Sequence, residues 1–151
     1  MAVNGPSDNA RVLALFISPR GGQPMQARTE VAAREDYGLE GDAHARPGGS
    51  RQVLLLDSET LAAFGVEPGV LKENITTVGL NFTALPPGTQ MRVGKALLEI
   101  TKDCPPCREV DTVQAGLQEK LQGRRGMLAR VLQGGPIHVG DPITVLRPLP
   151  R

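Results

Sequence analysis

The chain is poor in aromatic rings and in cysteine: 151 residues hold no tryptophan, one tyrosine, three phenylalanines and two cysteines. An aromatic content of 3% leaves no platform on which bases stack, and a formal net charge of +1 offers no broad surface to neutralise phosphates. Nucleic acid is therefore not an expected partner. No apolar run approaches the roughly 20 residues that span a bilayer. The start, MAVNGPSDNARVLALFISPR, also lacks a charged segment before its short apolar run VLALFI. A cytoplasmic protein without membrane association is the expectation. Thiols stay reduced in that compartment, so two cysteines read as metal or catalytic chemistry rather than as a structural staple.

Glycine and proline, by contrast, are frequent, with 18 and 13 residues. Together with 40% hydrophobic and 22% charged residues they indicate one globular domain over 1–151, built from short elements and many turns. A chain of this length buries about 68–70% of its unfolded surface without staples. VLALFI (12–17) reads as a buried strand closed by SPRGG, and a weaker strand follows at about 25–31. REDYGLEGDAHARPGGSR (34–51) has no period and reads as a long loop, a feature that in compact domains tends to be functional.

QVLLL (52–56) is a buried strand, followed by a two-turn helix that Asp57 or Ser58 caps and Gly65 stops. ENITT (73–77) carries β-branched residues, and MRVGKALLEI (91–100) is a hairpin about Gly94-Lys95. Asp111 and Gln114 suggest a capping box for a helix whose apolar face is Val113, Leu117 and Leu121, ending at Gly123. MLARVL (127–132) and IHVGDPITVL (137–146) complete about seven strands and two helices, with VGDP read as a turn. With no regular strand-helix alternation, the expected class is β-rich α+β, barrel or sandwich-like with short helices.

The two cysteines, Cys104 and Cys107, lie in TKDCPPCREV. A zinc site needs four ligands, and His44 and His138 do not form the usual closely spaced second pair. A dithiol is supported by the order strand, CPPC, helix and by Lys102 and Arg108 nearby, but the motif lies two-thirds along a mainly β chain. Both cysteines also suit a plain turn stiffened by Pro105 and Pro106. The fourth reading is a single thiolate serving as soft metal ligand or persulfide carrier, with its neighbour accessory.

The span GLEGDAHARPGGSRQVLLLDSETL, then LKENITTVGLNFTALPPGTQMRVGKALLEITKDCPPC, then GRRGMLARVLQGGPIHVGDPI, resembles the MOSC domain, the C-terminal module of molybdenum cofactor sulfurases and also a stand-alone bacterial protein. The resemblance runs in order over 36–146. It implies a β-barrel-like fold and binding of molybdenum cofactor (molybdopterin), with Cys107 as the metal ligand or sulfur carrier and Cys104 the lesser candidate. It further implies molybdenum-dependent reduction of N-hydroxylated compounds as a reaction class. A non-catalytic cofactor-delivery module and a dithiol oxidoreductase stand as alternatives.

Cofactor contacts are expected from Asp42 and His44 in GLEGDAH, from Arg51, from the Glu73-Asn74 pair, and from Arg124 and Arg125 in GRRG. His44 is suited to proton relay, Arg51 to a bidentate fork on an anion, and Asn74 to reading a pterin edge. The family's sulfurases carry a separate pyridoxal-phosphate domain. With four lysines and no length for that domain, no bound pyridoxal phosphate is expected here, and a cysteine desulfurase or an electron-donor protein is implied as partner.

Overall fold

A computed structural model describes residues 2–3, 9–21, 24–82, 85–106 and 108–147. Nine strands form one sheet. In chain order they are β1 (Ala2–Val3), β2 (Arg11–Ile17), β3 (Gln26–Arg28), β6 (Val53–Asp57), β7 (Ile75–Val78), β8 (Gln90–Val93), β9 (Ala96–Asp103), β10 (Met127–Gln133) and β12 (Ile143–Arg147). Their spatial order is β1-β12-β8-β9-β10-β6-β7-β2-β3. A second sheet of β4 (Glu30–Arg34), β5 (Gly38–Leu39) and β11 (Gly135–His138) has the order β11-β4-β5. The helices are short: α1 (Ser58–Ala63), a 3-10 helix at Arg108–Thr112, and α2 (Leu117–Lys120).

The expected β-rich class with short helices is what the structure shows. The ladder itself is not closed into a barrel, since β1 and β3 are its two ends. An isolated bridge between Arg11 and Pro142 and backbone bonds such as Val12 N to Asp141 O (2.9 Å) join the start of β2 to the turn before β12. That VGDP turn is held as its sequence suggests, with Asp141 Oδ2 accepting from His138 N at 2.8 Å.

Pairing is antiparallel throughout, except that β6 and β7 run parallel with α1 in the crossover between them. Asp57 caps α1 by accepting from the Thr60 amide and hydroxyl at 2.9 and 2.8 Å. The expected helix from Asp111 to Gly123 is not continuous. Gly116 adopts a left-handed φ of 79° and divides it into the 3-10 turn and α2, and Asp111 accepts instead from Gln118 N at 2.7 Å. Leu117 and Leu121 are buried as their spacing indicates, whereas Val113 is exposed.

Strand β6 is apolar on both faces, and the period of two sends its residues to three places. Val53 and Leu55 enter the main core with Leu15, Ile75, Met91, Leu98 and Ile100. Leu56 packs with Leu61, Leu71, Val110, Leu117 and Leu121 beneath the helices. Leu54 forms a small cluster with Cys104 and Leu128. Each of these buried leucines contributes on the order of 2 kcal/mol through apolar burial.

The segment 34–51 is less free than its composition suggests. Gln52, fully buried, donates to Asp36 Oδ1 (3.3 Å) and Arg46 O (3.2 Å) and accepts from Val131 N at 2.9 Å, stitching the segment to β10. Ala43 N donates to Ser18 O at 2.7 Å, and the Arg34 guanidinium lies 5.0 Å from the centre of the Tyr37 ring.

Gly126 adjoins this framework at a point where no side chain fits. Its φ is +111°, and an added Cβ would lie 2.3 Å from Leu55 O, while its own carbonyl accepts from Cys104 N at 2.9 Å. Gly126→Ala is therefore expected to push β6 and β10 apart and to cost about 3 kcal/mol or more of unfolding free energy in a denaturant titration. A loss near zero would show that the strands yield without penalty.

Candidate functional site

The Leu54, Cys104 and Leu128 cluster floors a cavity of about 380 Å³. Its wall carries His44, Arg51, Lys72, Asn74, Pro105 and Arg125. Leu54 and Leu128 reach it because each lies on the sheet face opposite to the main core. Cys104 is 7% exposed, with its Sγ 3.7 Å from Pro105 O. Cys107, the expected ligand or carrier, lies outside the described residues. Among the described residues, no group of three or more His, Cys, Asp or Glu side chains is arranged to hold a metal.

Behind the wall, a buried clasp joins three chain segments. Asp42 Oδ1 accepts from Ser18 N (2.8 Å) and Asn74 Nδ2 (3.1 Å), and its Oδ2 accepts from His44 N at 3.1 Å, with His44 Nδ1 3.5 Å away. Asn74 Oδ1 accepts from Leu54 N at 2.9 Å, and its Nδ2 also donates to Phe16 O at 3.2 Å. Both amide protons of Asn74 are thus committed internally. It lines the cavity as a clamp on β2, β6 and β7, and it has no donor left to read a ligand edge.

Asp42, likewise expected as a cofactor contact, sits behind His44 and orients it. Burial pushes the Asp42 carboxyl pKa up, but the hydrogen bonds from His44 and Ser18 outweigh it and hold the value below the ordinary 3.8. The same hydrogen bond raises His44 above its ordinary 6.5, against burial and the charges of Arg51 and Lys72. His44 is thereby disposed to hold a proton at the cavity mouth.

Glu73 takes no part in lining this cavity. It is fully buried, and its Oε2 accepts from Gly69 N and Thr76 Oγ1, both at 2.8 Å, closing the turn before β7. Burial raises its pKa, opposed by those bonds and by Arg125, and Oε1 has no hydrogen-bond partner among the described residues. Neighbouring residues of the KEN segment point to opposite sides, so Asn74 reaches the cavity wall while Glu73 does not.

The two arginines of GRRG separate in the same way. Arg124 is exposed, lies 5.0 Å over the Phe64 ring, and lines a different cavity with Asp57, Glu59 and Phe82. Arg125 turns inward to 7% exposure, donating through Nη2 to Leu71 O. Among the described residues its Nε and Nη1 are buried without hydrogen-bond partners, an unstable condition for donors unless a ligand or water meets them. Lys72 was not anticipated from the sequence. It reaches the cavity from a left-handed backbone, φ 66°, that its side chain does not favour.

The lining therefore contains three permanent cations and one histidine with no carboxylate among them, a surface built for an anion. The Asp42–His44 pair also links stability to pH. Asp42's contribution is present above pH 3.8 and is lost as pH falls through its lowered pKa. His44's contribution is complete below pH 6.5 and is lost as pH rises through its raised pKa. In Asp42→Asn, one acceptor oxygen becomes an amide nitrogen facing donors. The expected result is a stability loss of about 2 kcal/mol and a His44 ring-proton titration by NMR that moves down towards the ordinary value. An unchanged titration would show that the pair is not coupled.

The MOSC domain family model matches residues 42–144, more than half of the chain. No curated protein matches the sequence. Among solved structures, YiiM from Geobacillus stearothermophilus shares 19% identity at a TM-score of 0.75, covering 91% of this chain and 75% of its own. The YUAD protein from Bacillus subtilis shares 20% at 0.75, covering 90% and 94%. YiiM from Escherichia coli shares 21% at 0.69, covering 92% and 71%. These likenesses show a common fold, and with the family match and the ordered motifs around the cavity they lead to one conclusion: the chain belongs to the MOSC domain family.

Proposed function

We propose that the chain binds molybdenum cofactor in the basic cavity, with Cys107 as thiolate ligand or sulfur carrier. The observation that carries this reading is a carboxylate-free wall of His44, Arg51, Lys72 and Arg125 directly beside the Cys104-Pro105 segment. The donor set fits the proposed group: guanidinium and ammonium side chains match a terminal phosphate, and a thiolate suits a thiophilic metal. When bound, the cofactor supplies a two-electron redox centre, consistent with reduction of N-hydroxylated compounds as the reaction class.

This chain's own residues have separable tasks. Arg51 and Lys72, both at the exposed side of the wall, hold the phosphate, and the buried Arg125 fixes the inner end. Leu54 and Leu128 keep the floor dry, which strengthens each of those charge contacts. His44 holds a proton on the cavity side of Asp42 and releases it as pH rises through its raised pKa. A thiolate is the form needed either for metal ligation or for attack on a sulfane sulfur. Cys104, packed on the floor and tied through its amide to Gly126, serves as the anchor of the CPPC segment. Electrons or sulfur come from a partner protein, a reductase or a cysteine desulfurase.

Molybdenum content per chain tests the reading in protein purified anaerobically from a host that makes the cofactor. Wild type and Cys104→Ala are expected to retain the metal, Cys107→Ala to lose it, and Arg51→Gln with Lys72→Gln to lower occupancy at least about tenfold through lost phosphate contacts. Absence of molybdenum from every form would overturn cofactor binding.

A further inference from the structure

A second chamber, of about 420 Å³, adjoins the basic cavity and shares two wall residues with it, Lys72 and Arg125. Its remaining surface differs in character. Leu71 and Val110 are buried at 2% and 4% exposure, while Val70 and Val113 remain 44% and 41% exposed. These are two of the four large hydrophobic side chains left exposed among the described residues. Two exposed valines facing one chamber make an apolar lining of the kind that marks ligand sites.

Arg125 supplies the polar end. Its Nη2 is held by Leu71 O, whereas Nε and Nη1 are buried and make no hydrogen bond among the described residues, with the Glu73 carboxylate acting on the group only through its charge. The Nε and Nη1 protons do not share one edge of the rigid guanidinium plane, so this arginine is able to serve two anions from different sides. A guanidinium that walls two cavities and retains donors on separate edges has the geometry to bridge two ligands. Glu109, exposed on the chamber wall, sets a further limit, since a second negative charge on the occupant would meet it unfavourably.

We propose that this chamber binds the organic reactant, an N-hydroxylated compound with one carboxylate and an apolar body, whose acid group is taken by Arg125 and whose hydrocarbon portion packs on Val70, Leu71, Val110 and Val113. The inference rests on cofactor binding in the basic cavity and adds to it the class of molecule that lies alongside. Continuity of the chain supports the pairing: Pro105 lines the basic cavity, Glu109 lines the chamber, and Cys107 is midway between them in sequence.

Ligand-observed NMR and equilibrium dialysis with hexanoate, on the full chain purified anaerobically, test the assignment. Hexanoate is expected to bind wild type, with hexan-1-ol and hexanedioate each at least about tenfold weaker, a difference of ~1.4 kcal/mol. Val113→Asp, a change at an exposed position that does not line the basic cavity, is expected to weaken hexanoate about tenfold while leaving molybdenum content intact. Glu109→Gln is expected to narrow the gap between hexanoate and hexanedioate. Hexanol binding as tightly as hexanoate, or no response to Val113→Asp, overturns the inference. Molybdenum retained without hexanoate binding refutes the chamber alone. Hexanoate binding that depends on Val113 in a chain devoid of molybdenum upholds the chamber and refutes the cofactor reading.

Discussion

The hydrogen bond between Asn74 Nδ2 and Asp42 Oδ1 joins two parts of the chain that lie far apart in sequence: the segment after β5 and the residue that leads into β7. Through Asn74 the same contact reaches the backbone of β6 and β2, and through Asp42 it reaches Ser18 and His44. All of these groups are polar and most are buried, so each partner is obligatory: loss of one leaves others in a dry interior without water to replace it. The cavity is therefore shaped from behind. Its wall is positioned by residues that spend their hydrogen bonds on the protein rather than on a ligand.

Strand β6 completes the arrangement by serving three environments from five residues. Its inner face joins the main core, and its outer face is divided between the helix cluster and the cavity floor. The basic wall is then imposed on an apolar floor, where charge is less screened than at an open surface. Arg125 gains its inward position from this geometry, since Gly126 beside it lets β10 approach β6 more closely than any side chain would permit.

Much of this was legible in the sequence, for identifiable reasons. The apolar runs VLALFI, QVLLL and MLARVL appear as β2, β6 and β10, and Gly94-Lys95 makes the turn between β8 and β9. β6 is buried on both faces, and β2 and β10 bury at least one face each, which leaves those segments few alternatives. The helix expected from Asp111 is interrupted because apolar spacing carries no sign of the left-handed conformation that Gly116 adopts. The candidate site was partly readable. Motif order led to His44, Arg51, Asn74 and Arg125 on one cavity, but adjacent residues were assigned a shared task. Glu73 and Arg124 face elsewhere because neighbours along an extended or bent backbone diverge. Lys72 had no signal at all: a lysine with positive φ is fixed by the turn around it, in which its amide donates to Gly69 O at 3.0 Å.

The 3-10 helix at Arg108–Thr112 stands outside the sheet framework, attached to it through Val110 in the helix cluster, while Glu109 and Thr112 stay exposed. Substitutions at exposed positions of this kind usually change stability by no more than about 0.5 kcal/mol. The part of the molecule that borders the outer chamber is thus thermodynamically cheap to vary, whereas the clasp and floor are not. Replacing Val70, Glu109, Thr112 or Val113 reshapes the chamber wall at little cost to the fold, whereas the same number of changes in the clasp would dismantle it.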